Sequence, residues 1–380
     1  MEAAPAGWYA DPTGAIGLRY WDGAQWTTDT RPFPPPTPSG EVDPPSGAMS
    51  AVDEVDEYDR SMLASDPYAT QEQLRGLVHD PSEKVREGLA DNRNTPADIL
   101  ALLASDRHAA VRLRVAANDK SDSETLIKLS HDTETQVRVI AARNRQMPPH
   151  ELRRLASDAE PDVRASVLIN ATADADIALL LVDDRSQPVR RALAGNPHTP
   201  PHVLVELADD ADADVRAGVA GNPSTPREAL GRFAYDGSAH VRKNVAGNPQ
   251  APSPCLAALA FDEDDMVLHA VAGNARTGRD VLTHLAKDRR DWIRRAVAYN
   301  RETPQEVLLD LALDPEISLA LAENPSASAA VLSQVAAVVL SDTFEESYYD
   351  EQGDILATIC HHPNTPPELR QALEGFVVDE

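Results

Sequence analysis

NPHTPPHVLVELADDADADVRAGVAGN, residues 196–222, is the stretch whose reading decides the fold. Thr199 reads as a helix N-cap and Pro200 as the first helical residue, where a missing N–H costs nothing. Leu204 and Leu207 then fall on one face of a helix of about three turns. Asp210 closes that helix or caps the next. Val215 and Val219 stand at i, i+4 in a second, shorter helix, α or partly 3₁₀. Gly221 and Asn222 tolerate left-handed backbone and end it, and Pro223 bars continuation. The stretch spells helix, turn, shorter helix, turn.

Asn222 also opens the next copy. Asn recurs at 92, 118, 144, 170, 196, 222, 248, 274 and 300, each 26 residues from the last, and Asp66 holds the same phase one period earlier. Seven residues before each Asn stands Val85, Val111, Val137, Val163, Val189, Val215, Val241, Val267 or Ile293. Twelve before it stands Asp80, Asp106, Asp132, Asp158, Asp184, Asp210, Asp236, Asp262 or Asp288. Columns in phase at such a period mean a stack of repeats, each able to bury its apolar face only against its neighbours. The period fails twice near the end. Asn300 to Asn324 is 24 residues, the loss falling between Asp314 and Ile317, and the next unit is expanded by TFEESYYDEQGD between Asp342 and Ile355. His362 takes the Asn place, and Thr365-Pro366 starts a last helix through Leu373. The count is 11 units from Asp66 to His362 plus a terminal half-unit.

The words N-P-x-T-P, L-x-x-L-A-x-D and V-R-x-x-V-A stand nearly complete at Asn196 to Ala220 and Asn222 to Ala246. In them the chain resembles the leucine-rich repeat variant family and, more loosely, HEAT-like repeats. The resemblance implies an all-α fold, a right-handed superhelical solenoid of short paired helices, here preceded by a small β-motif and a disordered linker. Some members of that family carry an N-terminal cysteine cluster binding an iron–sulfur centre. No cysteine precedes Cys255 here, so that cofactor is not carried over.

The domains expected are a small aromatic β-motif over 1–29, a Pro-rich then acidic linker over 30–59, and the helical repeats over 60–380. Gly7-Trp8-Tyr9, Leu18-Arg19-Tyr20-Trp21 and Gln25-Trp26-Thr27-Thr28 favour strands. Asp22-Gly23 signals a type I′ hairpin. Gly7, Trp8, Tyr9, Asp11, Pro12, Arg19, Tyr20, Trp21, Asp22, Gly23, Trp26 and Thr27 resemble a short N-terminal domain of unknown function common in actinobacterial proteins, which implies a bacterial origin and no activity. The motif is also similar, more weakly, to WW domains, which imply a proline-rich ligand, with Pro32 to Pro38 beside it. The simpler reading makes these aromatics the core of a sheet too small for any other.

The chain has 380 residues, 62 acidic and 35 basic, with a formal charge of −27. That field repels phosphate backbones and suits basic protein partners, so no nucleic acid is expected. Two cysteines, Cys255 and Cys360, make neither a disulfide framework nor a zinc site. No apolar run reaches the roughly 20 residues that span a bilayer, and the start lacks a signal-peptide pattern. A cytoplasmic protein is expected, with no cofactor and no metal.

Arg follows the column Val in eight of nine units, Leu268 being the exception. Its expected role is structural, pairing with the Asp column six residues earlier or in a neighbouring unit, rather than as a basic stripe for an anionic partner. The Asn column also reads as structure. Asp210, Asp212 and Asp214 lack the Gly and closing Glu of a calcium loop. His198 and His202 lack the metalloprotease Glu, and Cys360-His361-His362 lacks a partner pair. What remains for recognition is the aromatic motif with Trp8, Tyr20, Trp21 and Trp26; the insertion with Phe344, Glu345, Glu346, Tyr348, Tyr349, Asp350 and Glu351; and the second-helix position with Arg191, Lys243, His269 and Arg295. These point to a non-catalytic protein-interaction scaffold. The competing readings are an enzyme or nucleic-acid-acting HEAT-like protein with a groove site, and a membrane-associated structural adaptor recruited by the N-terminal motif.

Overall fold

The computed structural model describes residues 7–10, 18–22, 24–31, 51–170, 175–341 and 349–375. By its contacts the chain divides into two units, Met1–Leu181 and Val182–Glu380.

In the first unit β1 (Gly7–Ala10), β2 (Leu18–Trp21) and β3 (Trp26–Arg31) form an antiparallel sheet in sequence order. Trp21 lies opposite Trp26, and Gly23, half of the expected Asp22-Gly23 turn, lies outside the described residues. The Asp22 carboxylate accepts from the N–H groups of Ala24 and Gln25, both at 2.8 Å. The helices of this unit are α1 (Ala51–Ser65), α2 (Gln71–Gly76), α3 (Glu83–Asp91), α4 (Ala97–Leu103), α5 (Ala109–Ala117), α6 (Ser123–Leu129), α7 (Thr135–Arg143), α8 (Pro149–Leu155), α9 (Pro161–Val167) and α10 (Ala175–Leu181).

The acidic run assigned to the linker is helical from Ala51. It forms α1, which takes the place of a second helix one period ahead of α3. Arg60, 26 residues before Arg86, bonds Asp80 at 2.7 Å as the later arginines bond theirs. Packing on α3 buries Leu63 and Ala64, and that burial outweighs the run's charge.

The second unit holds α11 (Gln187–Gly195), α12 (Pro201–Leu207), α13 (Ala213–Gly221), α14 (Arg227–Phe233), α15 (Ala239–Gly247), α16 (Ser253–Leu259), α17 (Asp265–Gly273), α18 (Arg279–Leu285), α19 (Asp291–Tyr299), α20 (Gln305–Leu311), α21 (Ser318–Ala322), α22 (Ala329–Val339), α23 (Tyr349–His361) and α24 (Pro367–Leu373). Leu204 and Leu207 of α12 and Val215 and Val219 of α13 are buried, each stabilising the unit by about 1.5–3 kcal/mol. The second helices form a close row in which α11, α13, α15, α17 and α19 each pack on the next. A Cβ at Gly218 would sit 2.9 Å from the Cβ of Ala194, so this approach needs glycine. At the shortened repeat a 3₁₀ turn, Pro315–Ile317, and the five-residue α21 replace a regular second helix.

Three local expectations are corrected. First, the helix lengths are reversed. α12 has seven residues and α13 nine, and the second helices are α-helical. Second, Thr199 is not the N-cap. Pro200 holds that place with extended backbone, while the Thr199 hydroxyl donates at 2.6 Å to the carbonyl of Leu193. Thr225 does the same to Val219. These carbonyls already accept from the Asn196 and Asn222 N–H groups, at 3.2 and 3.1 Å, and the threonine supplies a second partner. Third, Asn222 is extended, with φ −71° and ψ 126°, rather than left-handed. Its amide Nδ2 donates to the carbonyls of Ala194 and Asn196 in the preceding repeat, both at 2.8 Å, and its Oδ1 accepts from the N–H of Ser224. Extended backbone is what aims the amide at that repeat. Among the described residues no helix is long and apolar enough to cross a membrane.

Asn248 is buried and makes the same bonds, to Ala220 at 2.7 Å and Asn222 at 3.0 Å. Asn248→Ala would orphan both carbonyls and is expected to destabilise by about 2–3 kcal/mol. Hydrogen exchange should quicken first in α13 and α15, where repeats separate locally. Unchanged protection there would show that the amide is not what joins the repeats.

Candidate interaction surface

The charged columns are committed to one another. The Arg216 guanidinium donates to both carboxylate oxygens of Asp236 in the following repeat, at 2.7 and 3.0 Å, and to the backbone carbonyl of Asp210 at 2.9 Å. Asp236 in turn accepts from the N–H of Ser238 at 2.8 Å. Arg190 with Asp210 and Arg242 with Asp262 repeat the fork in this unit, as do Arg86 with Asp106, Arg112 with Asp132 and Arg138 with Asp158 in the first. The forks hold the Asp210 and Asp236 carboxyls below the ordinary range. The sequence expectation paired Arg with the Asp six residues earlier or in a neighbouring unit; the carboxylate partner is that of the next repeat, and the Asp six residues back offers only its backbone carbonyl.

Leu268 interrupts the column and leaves Asp288 without an arginine from the preceding repeat. Arg290 folds back in its place, donating at 2.8 and 2.7 Å to the two carboxylate oxygens. It holds Asp288 down to about 2 and also pairs with Asp265 of α17. The calcium reading fails on the same local grounds. Asp212 is the N-cap of α13, accepting from Asp214 and Val215 N–H groups. Burial pushes the Cys255 thiol up to about 11, which makes it a poor nucleophile.

Clefts lie between repeats. One of about 440 Å³ in the first unit is lined by Asp80, Arg86, Leu102 and Asp106, and one of about 470 Å³ in the second by Lys287, Arg294, Leu311 and Asp314. The Arg–Asp pair floors both. They occupy the same position of the repeat and follow from the stacking itself.

Residues 189–212, 213–238 and 239–264 match the leucine rich repeat variant family. Over these residues the repeats are similar to leucine rich repeat variants. Residues 6–39 match a family described as a protein of unknown function, DUF2510. No curated protein matches the sequence. Among solved structures the chain is similar to a leucine-rich repeat variant with a novel repetitive motif, at 27% identity over 58% of this chain and 88% of that one, with a TM-score of 0.45. It is also similar to Kap121p bound to Ste12p, at 11% identity over 83% and 48% of the two chains and TM-score 0.40. For importin beta the values are 13%, 84%, 45% and 0.26.

The leucine rich repeat variant units carry Arg191 on α11 and Lys243 on α15, and the same position bears His269 on α17 and Arg295 on α19. Arg191 is exposed and lies 3.5 Å from Asp214. Lys243 is half-buried. His269 stacks on Trp292 with ring centres 5.3 Å apart, and Arg295 donates to the carbonyl of Glu316 at 3.0 Å. These side chains share one face of the second-helix row. In the first unit Tyr20 and Trp21 are half-buried, and Trp21 meets Trp26 edge-on at 5.3 Å. The backbone of Trp8 pairs with that of Tyr20. Phe344, Glu345, Glu346 and Tyr348 lie outside the described residues, and Tyr349 begins α23.

Sequence reading missed the position just before the column Asp. In the second unit it pairs with a residue 23 further on, in the next first helix. Asp209 bonds Arg232 at 3.1 Å, and the Phe261 ring lies 4.7 Å from that of His284. Tyr235 has only Ala258 at the matching place and stays 82% exposed, with Phe261 at 75% one repeat on. Two large aromatics at equal phase were the signal.

Arg290→Ala tests the substitute rung. The bonded Asp288 titrates near 2, below the unfolded value of about 3.9. Its contribution is therefore complete above pH ~4 and lost as pH falls toward ~2. The variant should lose about 1 kcal/mol near neutrality and converge on the native chain in acid, read by denaturant unfolding across pH. A deficit that does not shrink on acidification would remove the rung from the account.

Proposed function

We propose that the chain is a non-catalytic protein-interaction scaffold whose partners include basic proteins. The observation that carries this is the division of labour within each repeat. The recurring Asn, Asp, Arg and Thr side chains are consumed in joining repeats. The second-helix position two residues after the column Val instead changes from repeat to repeat, exposed at Arg191, His269 and Arg295, half-buried at Lys243 and buried at Ala217. A constant frame with varying exposed residues is how a stack of repeats builds a specific surface. The charge of −27 favours basic partners and opposes a phosphate backbone. Trp8, Tyr20, Trp21 and Trp26 form a second recognition element in this reading, and the insertion bearing Phe344, Glu345, Glu346, Tyr348 and Tyr349 a third.

The full chain, immobilised, is expected to retain discrete proteins from a lysate of its source. Recovery should fall about fivefold, the equivalent of about 1 kcal/mol, in Arg191→Glu/Lys243→Glu/Arg295→Glu or on deletion of residues 342–354. Retention of no protein, or saturable binding of DNA or RNA that outlasts moderate salt, would overturn the reading.

A further inference from the structure

We propose that Tyr235 and Phe261, with the bare helix α16 beside them, form a docking shelf. Its occupant is an extended segment of another protein that carries two large apolar side chains three residues apart, flanked by Lys or Arg. The inference rests on the scaffold reading and names one site and one chemistry for it.

Four observations converge. The two rings are 82% and 75% exposed at equivalent positions of consecutive repeats. Exposed apolar groups gathered in one place mark contact sites on soluble proteins. The helix between them, SPCLAAL, carries no charged residue, whereas α12, α14, α18 and α20 each carry at least one. Ala257 and Ala258 leave its outer face low, and nothing lies within 4 Å of the place a Cβ would take on Gly231. Spacing gives the occupant's geometry. Neighbouring packed helices stand about 8–10 Å apart. A polyproline II segment returns to the same face every three residues, about 9 Å on. Apolar side chains at i and i+3 therefore meet consecutive repeats. Charge gives its flanks. Phe261 is followed by Asp262, Glu263, Asp264 and Asp265. Asp262 is held by Arg242, Asp264 caps α17 and Asp265 pairs with Arg290, while Glu263 is exposed. A second copy of this chain is the poorer occupant, because two bodies of charge −27 repel.

The probes are synthetic 12-residue peptides in a Pro/Ser background with Leu at i and i+3, in Lys-flanked, Ser-flanked and Glu-flanked versions. They are titrated into the full chain by fluorescence anisotropy. The Lys-flanked peptide should bind about tenfold tighter than the Glu-flanked one, and moving the second Leu to i+1 should weaken it. Added salt should narrow the charge preference. Tyr235→Ala/Phe261→Ala should weaken binding about tenfold with the helical signal and melting unchanged, since both rings are exposed. Glu263→Lys should reduce only the charge preference. Equal affinity for the double variant, preference for Glu flanks, or no saturable binding to the native chain would each overturn the shelf. So would a native dimer in sedimentation that dissociates in the double variant. Proteins captured from lysate equally by native and double-variant chains would overturn the shelf and leave the scaffold reading standing.

Discussion

The side-chain amide of the recurring asparagine is the constraint on which the repeats depend. Its two N–H groups satisfy two carbonyls of the preceding repeat, and its oxygen accepts from its own chain two residues on. One small group thus removes orphan carbonyls from a helix end and fixes one repeat on the last. Replacements keep part of this set. At the C-terminal repeat His362 keeps one donation and the acceptance, with Nε2 3.0 Å from the carbonyl of Asn324 and Nδ1 accepting from the N–H of Asn364 at 3.1 Å. Those partners assign the neutral tautomer protonated on Nε2, because a carbonyl only accepts and a backbone N–H only donates. At the start of the first unit's repeats a carboxylate suffices. Asp66 accepts from the N–H of Tyr68, and among the described residues no earlier repeat precedes it.

The arginine forks act at the other edge of the repeat and change what the surface presents. Arg86, Arg112, Arg138, Arg190, Arg216 and Arg242 are each neutralised by the next repeat's aspartate, so these pairs contribute little net field. The acidic surplus resides in the exposed carboxylates. The repair at Leu268 shows how strongly a poorly solvated carboxylate demands a partner. Once the column lost its arginine, a residue two positions from Asp288 filled the gap and reached α17 as well. Leaving a buried charge unpaired costs more than the fork itself returns.

Much of this was legible in the sequence because it recurs. The 26-residue columns gave the repeats, and their polarity gave the Arg–Asp pairing. The two-residue loss before Ile317 appears as a 3₁₀ turn and a short helix, with Asn324 still bonded to Asn300. What misled was local grammar read without the neighbouring repeat. Thr199-Pro200 has the pattern of a cap, yet the hydroxyl serves a carbonyl six residues back. Gly221-Asn222 has the pattern of a left-handed stop, yet the asparagine is extended and its buried amide bonds across repeats. Helix propensity alone also left α1 unread, although Arg60 stood in phase with Arg86. Tyr235 and Phe261 were overlooked for a different reason. Columns draw the eye to what repeats, and these positions matter because most of their counterparts are polar.

Packing explains why variation is tolerated where it is found. On the second-helix row, close approach leaves no space at Gly218, where even a methyl group would meet Ala194. Larger side chains must point outward there and become partners of their neighbours, as with His269 on Trp292. The turn before the column aspartate is freer, as the exposure of Tyr235 and Phe261 there shows. Tyr235, opposite Ala258, and Phe261, opposite His284, both stay largely exposed there while the frame beneath keeps its amides and forks. Exposed apolar surface can therefore arise at this turn with little loss of stability, whereas the same change at Asn248 or Val245 would part the repeats.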